Sequence, residues 1–479
     1  MTGTFMNKTA LKGIGKKKTE PVFHISACVY AAVIFASHFM RIFDNDFWGD
    51  EAYSIGMARI GFDEMLKITA SDVHPPLYYS LLMLLYRIFG DHGWVYHLAA
   101  IIPFTVVLVF AVTSLYKRFG KEAAFIFLTL IGFSDNAVIY NVEVRMYCLA
   151  FMFVLLSYYS LYRCIKGEKR AEVFFVLFSL GAAYSHYYAM LAVAFFYLAL
   201  FVRAVRKKYR FGRFFAVCIA TVAGYLPWLI QVITTFGRTT GDYWMTEIPG
   251  VKDLVKYFFL SGNKWYSYAM FLCTAAVALI CILKRKHDAA KASWIFWGLA
   301  GCLGVVLTGE IVSALLRPVF TFRFIYPVVS VMWLVLAAGV SELKIRGLLA
   351  PVIIVISLIV YIPSFTDTVR YERYIDEICA DTAADLRSMV KEDDIILTDG
   401  SHLDWTLIDY YVPGTAHELV ESVDNEYEEG RTYYLFWSEP LTQDEINVLD
   451  EKGLTAEEKI RNGLIGNWVN VYKLTVKMT

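Results

Sequence analysis

Apolar runs long enough to cross a bilayer recur from Val22 to Ile362, and short clusters of lysine and arginine interrupt them. A hydrocarbon core of about 30 Å takes about 20 helical residues to span, so this alternation commits the chain to an α-helical polytopic membrane fold. Composition agrees, with 57% of the 479 residues hydrophobic and 16% aromatic. The first run, 22–42, follows Lys8, Lys12, Lys16, Lys17 and Lys18. It is long for a signal-peptide core and lacks a small-residue cleavage site, so it reads as a retained first helix. Eight scattered cysteines without a CxxC or Cys/His cluster indicate neither a disulfide framework nor a zinc site. No nucleic-acid partner is expected.

Lysine and arginine collect in cytoplasmic loops, so their distribution gives the topology. Segments 1–20, 117–122, 163–170, 203–213, 284–291 and 342–346 hold 24 Lys and Arg in 58 residues. The intervening segments 43–95, 134–146, 236–264 and 313–323 hold 10 in 106. Between basic segments the chain must cross an even number of times. Residues 171–202 as one helix would be about 48 Å long, too long for the core, and should be two helices turning near His186. Helices are expected at 22–42, 96–116, 123–140, 147–163, 171–186, 188–203, 214–234, 266–283, 292–312, 324–341 and 347–364. Eleven crossings give a cytoplasmic tail at 1–21, a transmembrane module at 22–364 with an outer loop at 43–95, an inner N-terminus and an outer C-terminus. The apolar but short Pro75–Gly90 is expected to be interfacial or re-entrant. The location is the plasma membrane, with membrane lipids as surroundings.

From Phe365 onward 25 Asp and Glu stand against 10 Lys and Arg, with no membrane-length run. Residues 365–479 are therefore expected to form a soluble α/β domain. Ile395–Thr398, Thr432–Trp437 and Trp468–Tyr472 read as strands, and 376–391 and 442–452 as helices.

This topology gathers polar residues on the outer face. Asp50, Glu51 and His74 fall in the first outer loop; Asp135, Glu143 and Arg145 in the second; His186 in the third; Arg317 and Arg323 before the tenth helix. Adjacent carboxylates beside a membrane helix are expensive unless they work in water or in a cavity. The outer arginines run against the inside bias and need a carboxylate or phosphate partner.

The motifs Trp48-Gly49-Asp50-Glu51-Ala52-Tyr53-Ser54, His74-Pro75-Pro76-Leu77-Tyr78-Tyr79, Tyr140-Asn141-Val142-Glu143-Val144-Arg145-Met146-Tyr147 and Arg317-Pro318-Val319-Phe320 with Arg323 follow one another in order. Together they resemble bacterial GT-C glycosyltransferases of the protein O-mannosyltransferase-like group, similar also to the lipid A aminoarabinose transferase. The resemblance covers roughly residues 20–365. It implies a GT-C fold, a polyprenyl-phosphate-linked sugar as donor, and transfer, usually with inversion, to an acceptor hydroxyl of a lipid, glycan or protein on the outer face.

The residue types suit that chemistry. Inverting transfer needs a carboxylate to take the acceptor proton; Asp50 and Glu51 are the candidate catalytic residues, with Asp50 as the base. The departing lipid phosphate is anionic and calls for cations, for which His74, Arg145 and Arg323 are the candidates. The resemblance makes the position before Pro-Pro a donor-phosphate contact, often lysine in related enzymes. Histidine there should make the charge pH-dependent. Trp48, Tyr53, Tyr78, Glu143, Tyr147, His186 and Arg317 are candidate substrate contacts. Each residue also has a plainer reading: a helix N-cap for Asp50 and Glu51, a turn for His74, an ion pair for Glu143 and Arg145, an interfacial anchor for His186, and lipid headgroups for Arg317 and Arg323.

Asp44-x-Asp46 resembles a metal-holding DxD pattern, but no metal or other cofactor is expected to be required. Asp399, His402, Asp404 and Asp409 form no complete catalytic set. The alternative function is a transporter, flippase or sensor for a lipid-linked sugar. Transporters place ionisable groups near mid-bilayer, where this chain has Glu310.

Overall fold

The computed structural model describes residues 8–43, 46–71, 74–235, 248–284, 288–316, 318–399, 405–428 and 430–476. The chain divides into two units. The first comprises Met1–Met40, Leu66–Tyr78 and Ala99–Thr366, and the second Arg41–Met65, Tyr79–Leu98 and Asp367–Thr479.

Nine helices among the described residues are long and apolar enough to cross a membrane: Pro21–Phe43, Gly93–Phe119, Tyr147–Ile165, Tyr187–Val205, Phe211–Thr234, Lys264–Leu283, Ala289–Leu315, Phe322–Ser341 and Arg346–Met389. Two other expected spans are shorter. Ala171–Ser185 is a 15-residue helix, and the expected 123–140 span is broken into Lys121–Phe133 and Asp135–Tyr140. The break at Ser134 follows from its polar neighbours. Ser134 Oγ donates to Asn136 Oδ1 (3.0 Å), Asn136 Nδ2 to the Tyr257 carbonyl (3.0 Å), and Asn141 Nδ2 to the Ile131 carbonyl (2.8 Å). Such side chains compete with the helix's own hydrogen bonds. The last expected span is also corrected, because its helix continues without a break from Arg346 to Met389 and absorbs the helix expected at 376–391.

The core of the first unit is the helix Tyr326–Ser341, whose residues are buried on every face. A helix apolar all round suits such a position, surrounded by other helices. It packs against Tyr147–Ile165, Lys121–Phe133, Lys264–Leu283 and Ala289–Leu315. Polar side chains lock these neighbours in register. Tyr158 Oη donates to the Trp294 carbonyl (2.8 Å), Trp294 Nε1 donates back to the Tyr158 carbonyl (2.9 Å), and the two rings stack at 4.4 Å.

The second unit carries a five-stranded sheet: β1 Ile395–Thr398, β2 Ala416–Leu419, β3 Tyr433–Trp437, β4 Leu454–Leu464 and β5 Trp468–Val476. Its order is β2-β1-β3-β5-β4, with β1 parallel to β2 and β3, and β5 antiparallel to β3 and β4. Strand alternation sorts side chains into two cores. Ile396, Tyr434, Phe436 and Val471 face Ile375, Cys379, Leu386 and Leu407, while Leu397, Leu435, Trp437 and Leu474 face Leu449. The expectation missed β2 and β4. Both are edge strands with mostly exposed side chains and therefore lack an apolar signal.

Candidate active site

In the first unit, three interruptions of helix bring basic side chains together. His74 stands in the connection before the helix Leu77–Phe89, where Pro75 and Pro76 prevent an earlier helical start. Arg145 lies in the turn that precedes Tyr147–Ile165. His186 separates Ala171–Ser185 from Tyr187–Val205 and adopts extended dihedrals (φ −161°, ψ 135°). All three are buried. Arg323, half-buried in the short 3-10 helix Phe322–Ile325, adds its charge to the field at both histidines.

The contacts fix the imidazole protons. Arg145 Nη2 lies 3.1 Å from His74 Nε2, and because a guanidinium only donates, that nitrogen must accept. The neutral ring then carries its proton on Nδ1, which has no hydrogen-bond partner among the described residues. His186 is the mirror case. The Tyr188 backbone N–H donates to its Nδ1 at 3.1 Å, which leaves a proton on Nε2, also without a partner among the described residues. The two rings are 5.6 Å apart, and Phe324 closes on both at 6.3 and 5.1 Å.

Burial, and then the charge of Arg145, push both imidazoles below their ordinary range, His74 far below it and His186 to about 3. This corrects the expectation of a pH-dependent charge at His74. Burial and the neighbouring guanidiniums of Arg145 and Arg323 oppose a second proton on the ring and favour the neutral form, with its N–H at Nδ1. The result is two fixed positive charges with two oriented N–H groups, a set suited to an oxyanion such as a phosphate.

Of the other expected residues in this unit, the Tyr147 ring lies tilted 5.8 Å from His186, Glu143 is half-buried in the Arg145 turn, and Tyr78 is buried at the start of Leu77–Phe89. Tyr188 and Phe324 were not anticipated. Tyr188 Oη donates to the Val319 carbonyl at 2.8 Å and its ring stacks on Phe324 at 5.3 Å, so it braces the segment leading to Arg323. The aromatic richness of the helices hid them. Arg317, Asp44, His402 and Asp404 lie outside the described residues.

In the second unit, Asp50 and Glu51 occupy the first turn of the helix Gly49–Arg59, where carboxylates favour the helix dipole. They differ in surroundings. Glu51 is buried and its Oε2 accepts from the Trp48 backbone N–H at 3.4 Å, half of a capping box, whereas Asp50 is only half-buried. Trp48 is exposed, and the Tyr53 ring lies 6.2 Å from Tyr79. Asp46 is pushed up to about 6 by burial, partly offset by the Cys379 thiol and the Gly466 backbone that face it. Asp399 accepts from Ser438 N (3.0 Å) and Oγ (3.1 Å), and Asp409 lies 3.7 Å from His417.

The sequence model of the dolichyl-phosphate-mannose-protein mannosyltransferase family matches residues 73–228, the stretch that holds His74, Arg145, Tyr147 and His186. ArnT from Cupriavidus metallidurans in the apo state superposes with a TM-score of 0.64 at 12% identity, over 93% of this chain and 97% of that one. The same protein bound to undecaprenyl phosphate gives a TM-score of 0.57, also at 12% identity and with the same coverage. The chain has the GT-C fold. It resembles the mannosyltransferase-like and ArnT-like glycosyltransferases of that fold, and it is a multi-pass membrane protein. No curated protein matches it. Within the GT-C fold, the matched segment supplies three of the four basic groups described above.

Proposed function

We propose that this protein is a membrane glycosyltransferase that moves a sugar from a polyprenyl-phosphate-linked donor to an acceptor hydroxyl on the outer face of the membrane. The observation that carries the reading is the cluster of buried His74, Arg145 and His186 with half-buried Arg323, which offers charge and N–H donors to a lipid-borne phosphate. The undecaprenyl phosphate held by ArnT supports a donor of that class.

In the proposed reaction the acceptor oxygen attacks the anomeric carbon, and the bond from that carbon to the phosphate oxygen breaks. The acceptor proton passes to Asp50, and the polyprenyl phosphate leaves with one further negative charge. Arg145 and Arg323 stabilise that developing charge, which is stronger in the transition state than in the bound donor. His74 and His186 donate N–H bonds to the same oxygens and need not titrate. Glu51 supports the start of the helix that carries Asp50. Trp48, Tyr53, Tyr78, Glu143, Tyr147 and Arg317 are proposed substrate contacts.

The concentration of Lys and Arg in 117–122, 163–170 and 203–213 supports an inner N-terminus, with 365–479 outside. No metal enters the proposal, and loss of turnover on chelation would overturn that part. The reading is tested by binding of undecaprenyl phosphate to protein in nanodiscs. Wild type should bind, and an Arg145→Gln, Arg323→Gln double variant should bind far more weakly. Equal binding by the two would remove the phosphate assignment.

A further inference from the structure

Asp46, Phe47 and Trp48 lead into the helix Gly49–Arg59, and residues from the C-terminal part of the same unit grip all three. Tyr411 Oη accepts from the Phe47 backbone N–H at 2.8 Å and donates to the Phe47 carbonyl at 3.2 Å. One phenol thus satisfies both main-chain groups of a residue 364 positions away in the chain. The Phe47 ring is buried and meets Tyr410 edge-on at 5.2 Å. The Gly466 turn closes on the same peptide with φ +74°. A Cβ there would sit 2.3 Å from the Phe47 carbonyl oxygen and 3.0 Å from Trp48 Cα. Only glycine fits both the dihedral and the space. Ala52, one turn into the helix, is buried in the cluster that includes Ile375, Leu407 and Ile465.

A segment of this kind, entered from a membrane helix, would otherwise be free to shift its helix start. Here the start is fixed from outside the loop, and Asp50 lies only three residues beyond the clamped peptide. Resting on the reading of Asp50 as the base, we propose that Tyr411 is a positioning residue for Asp50, so that the sheet-bearing C-terminal segment serves the transfer step itself and not acceptor capture. A displacement of about 1 Å in a catalytic group can cost on the order of 100-fold in rate, so the clamp need move little to matter.

Tyr411→Phe keeps the ring and removes both hydrogen bonds; Gly466→Ala keeps Tyr411 and pushes on the Phe47 carbonyl. Both are made in the full chain, in nanodiscs, with a labelled polyprenyl-phosphate sugar and hydrogen exchange as probes. In each variant kcat should fall about 10- to 100-fold with donor KM unchanged, while exchange quickens across 46–59 and stays the same around His74 and Arg145. Three outcomes would overturn the proposal: an unchanged kcat, a raised acceptor KM at constant kcat, or a loss of exchange protection throughout 367–476 that matches the activity loss. A wild type that transfers no sugar would instead defeat the underlying enzyme reading, and the catalytic half of the proposal with it. Faster exchange at 46–59 in the variants would even then show the clamp as a physical fact.

Discussion

Arg145 donates to Nε2 of His74 across 3.1 Å, and that single bond decides how both groups can act. It turns the imidazole so that its remaining proton points away from the arginine, and it sets a positive charge against any second proton on the ring. The pair therefore works as a cation with a neutral donor, not as two cations. His186 repeats the arrangement with a backbone N–H in place of the guanidinium.

Arg145→Gln removes the charge and the group that orients His74. Hydrogen bonds to charged groups contribute about 1.5–3 kcal/mol, so affinity for undecaprenyl phosphate should fall roughly 10- to 100-fold. Titration in nanodiscs measures this directly, and an unchanged affinity would place the phosphate elsewhere.

Because both imidazoles stay neutral, phosphate binding should not weaken as pH rises from 5.5 to 8. Stability should behave differently. The unfolded histidines titrate near 6.5 while the folded ones lie lower, His186 at about 3. Below about pH 6.5 the unfolded chain binds protons that the folded chain refuses, so stability is fullest above that pH and declines as pH falls. Thermal unfolding between pH 8 and 5 should show the decline, and His186→Gln should flatten it. An equal slope in the variant would contradict the assignment.

Gly298 packs where Tyr158 and Trp294 exchange hydrogen bonds, and a Cβ there would lie 2.1 Å from Tyr158 Oη and 2.8 Å from Val335 Cγ2. Gly298→Ala should destabilise the first unit by about 1–3 kcal/mol through overpacking. A melting temperature equal to that of wild type would show that the helices part without cost.

Asp50 and Glu51 should separate on mutation. Glu51→Ala removes the acceptor that caps the helix start, a loss on the order of 1 kcal/mol, and should lower the melting temperature while retaining most of the transfer rate. Asp50→Asn should lower the rate about 100- to 10,000-fold with the melting temperature preserved, since general bases contribute on that scale. Equal rate losses in the two variants would make the carboxylates a joint catalytic pair.

The sequence was readable where physics is local and repetitive. Apolar length and the Lys/Arg asymmetry located the membrane helices, and Ile395–Thr398 and Tyr433–Trp437 announced themselves by short apolar runs rich in β-branched and aromatic residues. Polar punctuation was harder to weigh. Ser134-Asp135-Asn136 looked tolerable inside an apolar span, yet a Ser134–Asn136 side-chain bond, an Asn136 bond to the distant Tyr257 carbonyl and an Asn141 bond to the Ile131 carbonyl end the helix there. The edge strands β2 and β4 bury too little to leave an alternating pattern. Within the site, His74, Arg145 and His186 could be picked out as misplaced polar residues. The neutrality of the imidazoles could not be read, because it depends on burial and on the charge of Arg145, which meets His74 across a separation of 71 residues. Tyr411 and Gly466 carried no signal for the same reason: their partner is a backbone peptide near the other end of the chain.

The most direct test is turnover of a labelled polyprenyl-phosphate sugar by the purified protein in nanodiscs, with nucleotide sugars offered alongside and Asp50→Asn as the paired variant. Release of polyprenyl phosphate from the lipid-linked donor alone, lost in Asp50→Asn while undecaprenyl phosphate still binds, is the predicted result. Donor binding without turnover across a panel of acceptors, or turnover that survives Asp50→Asn, would contradict it.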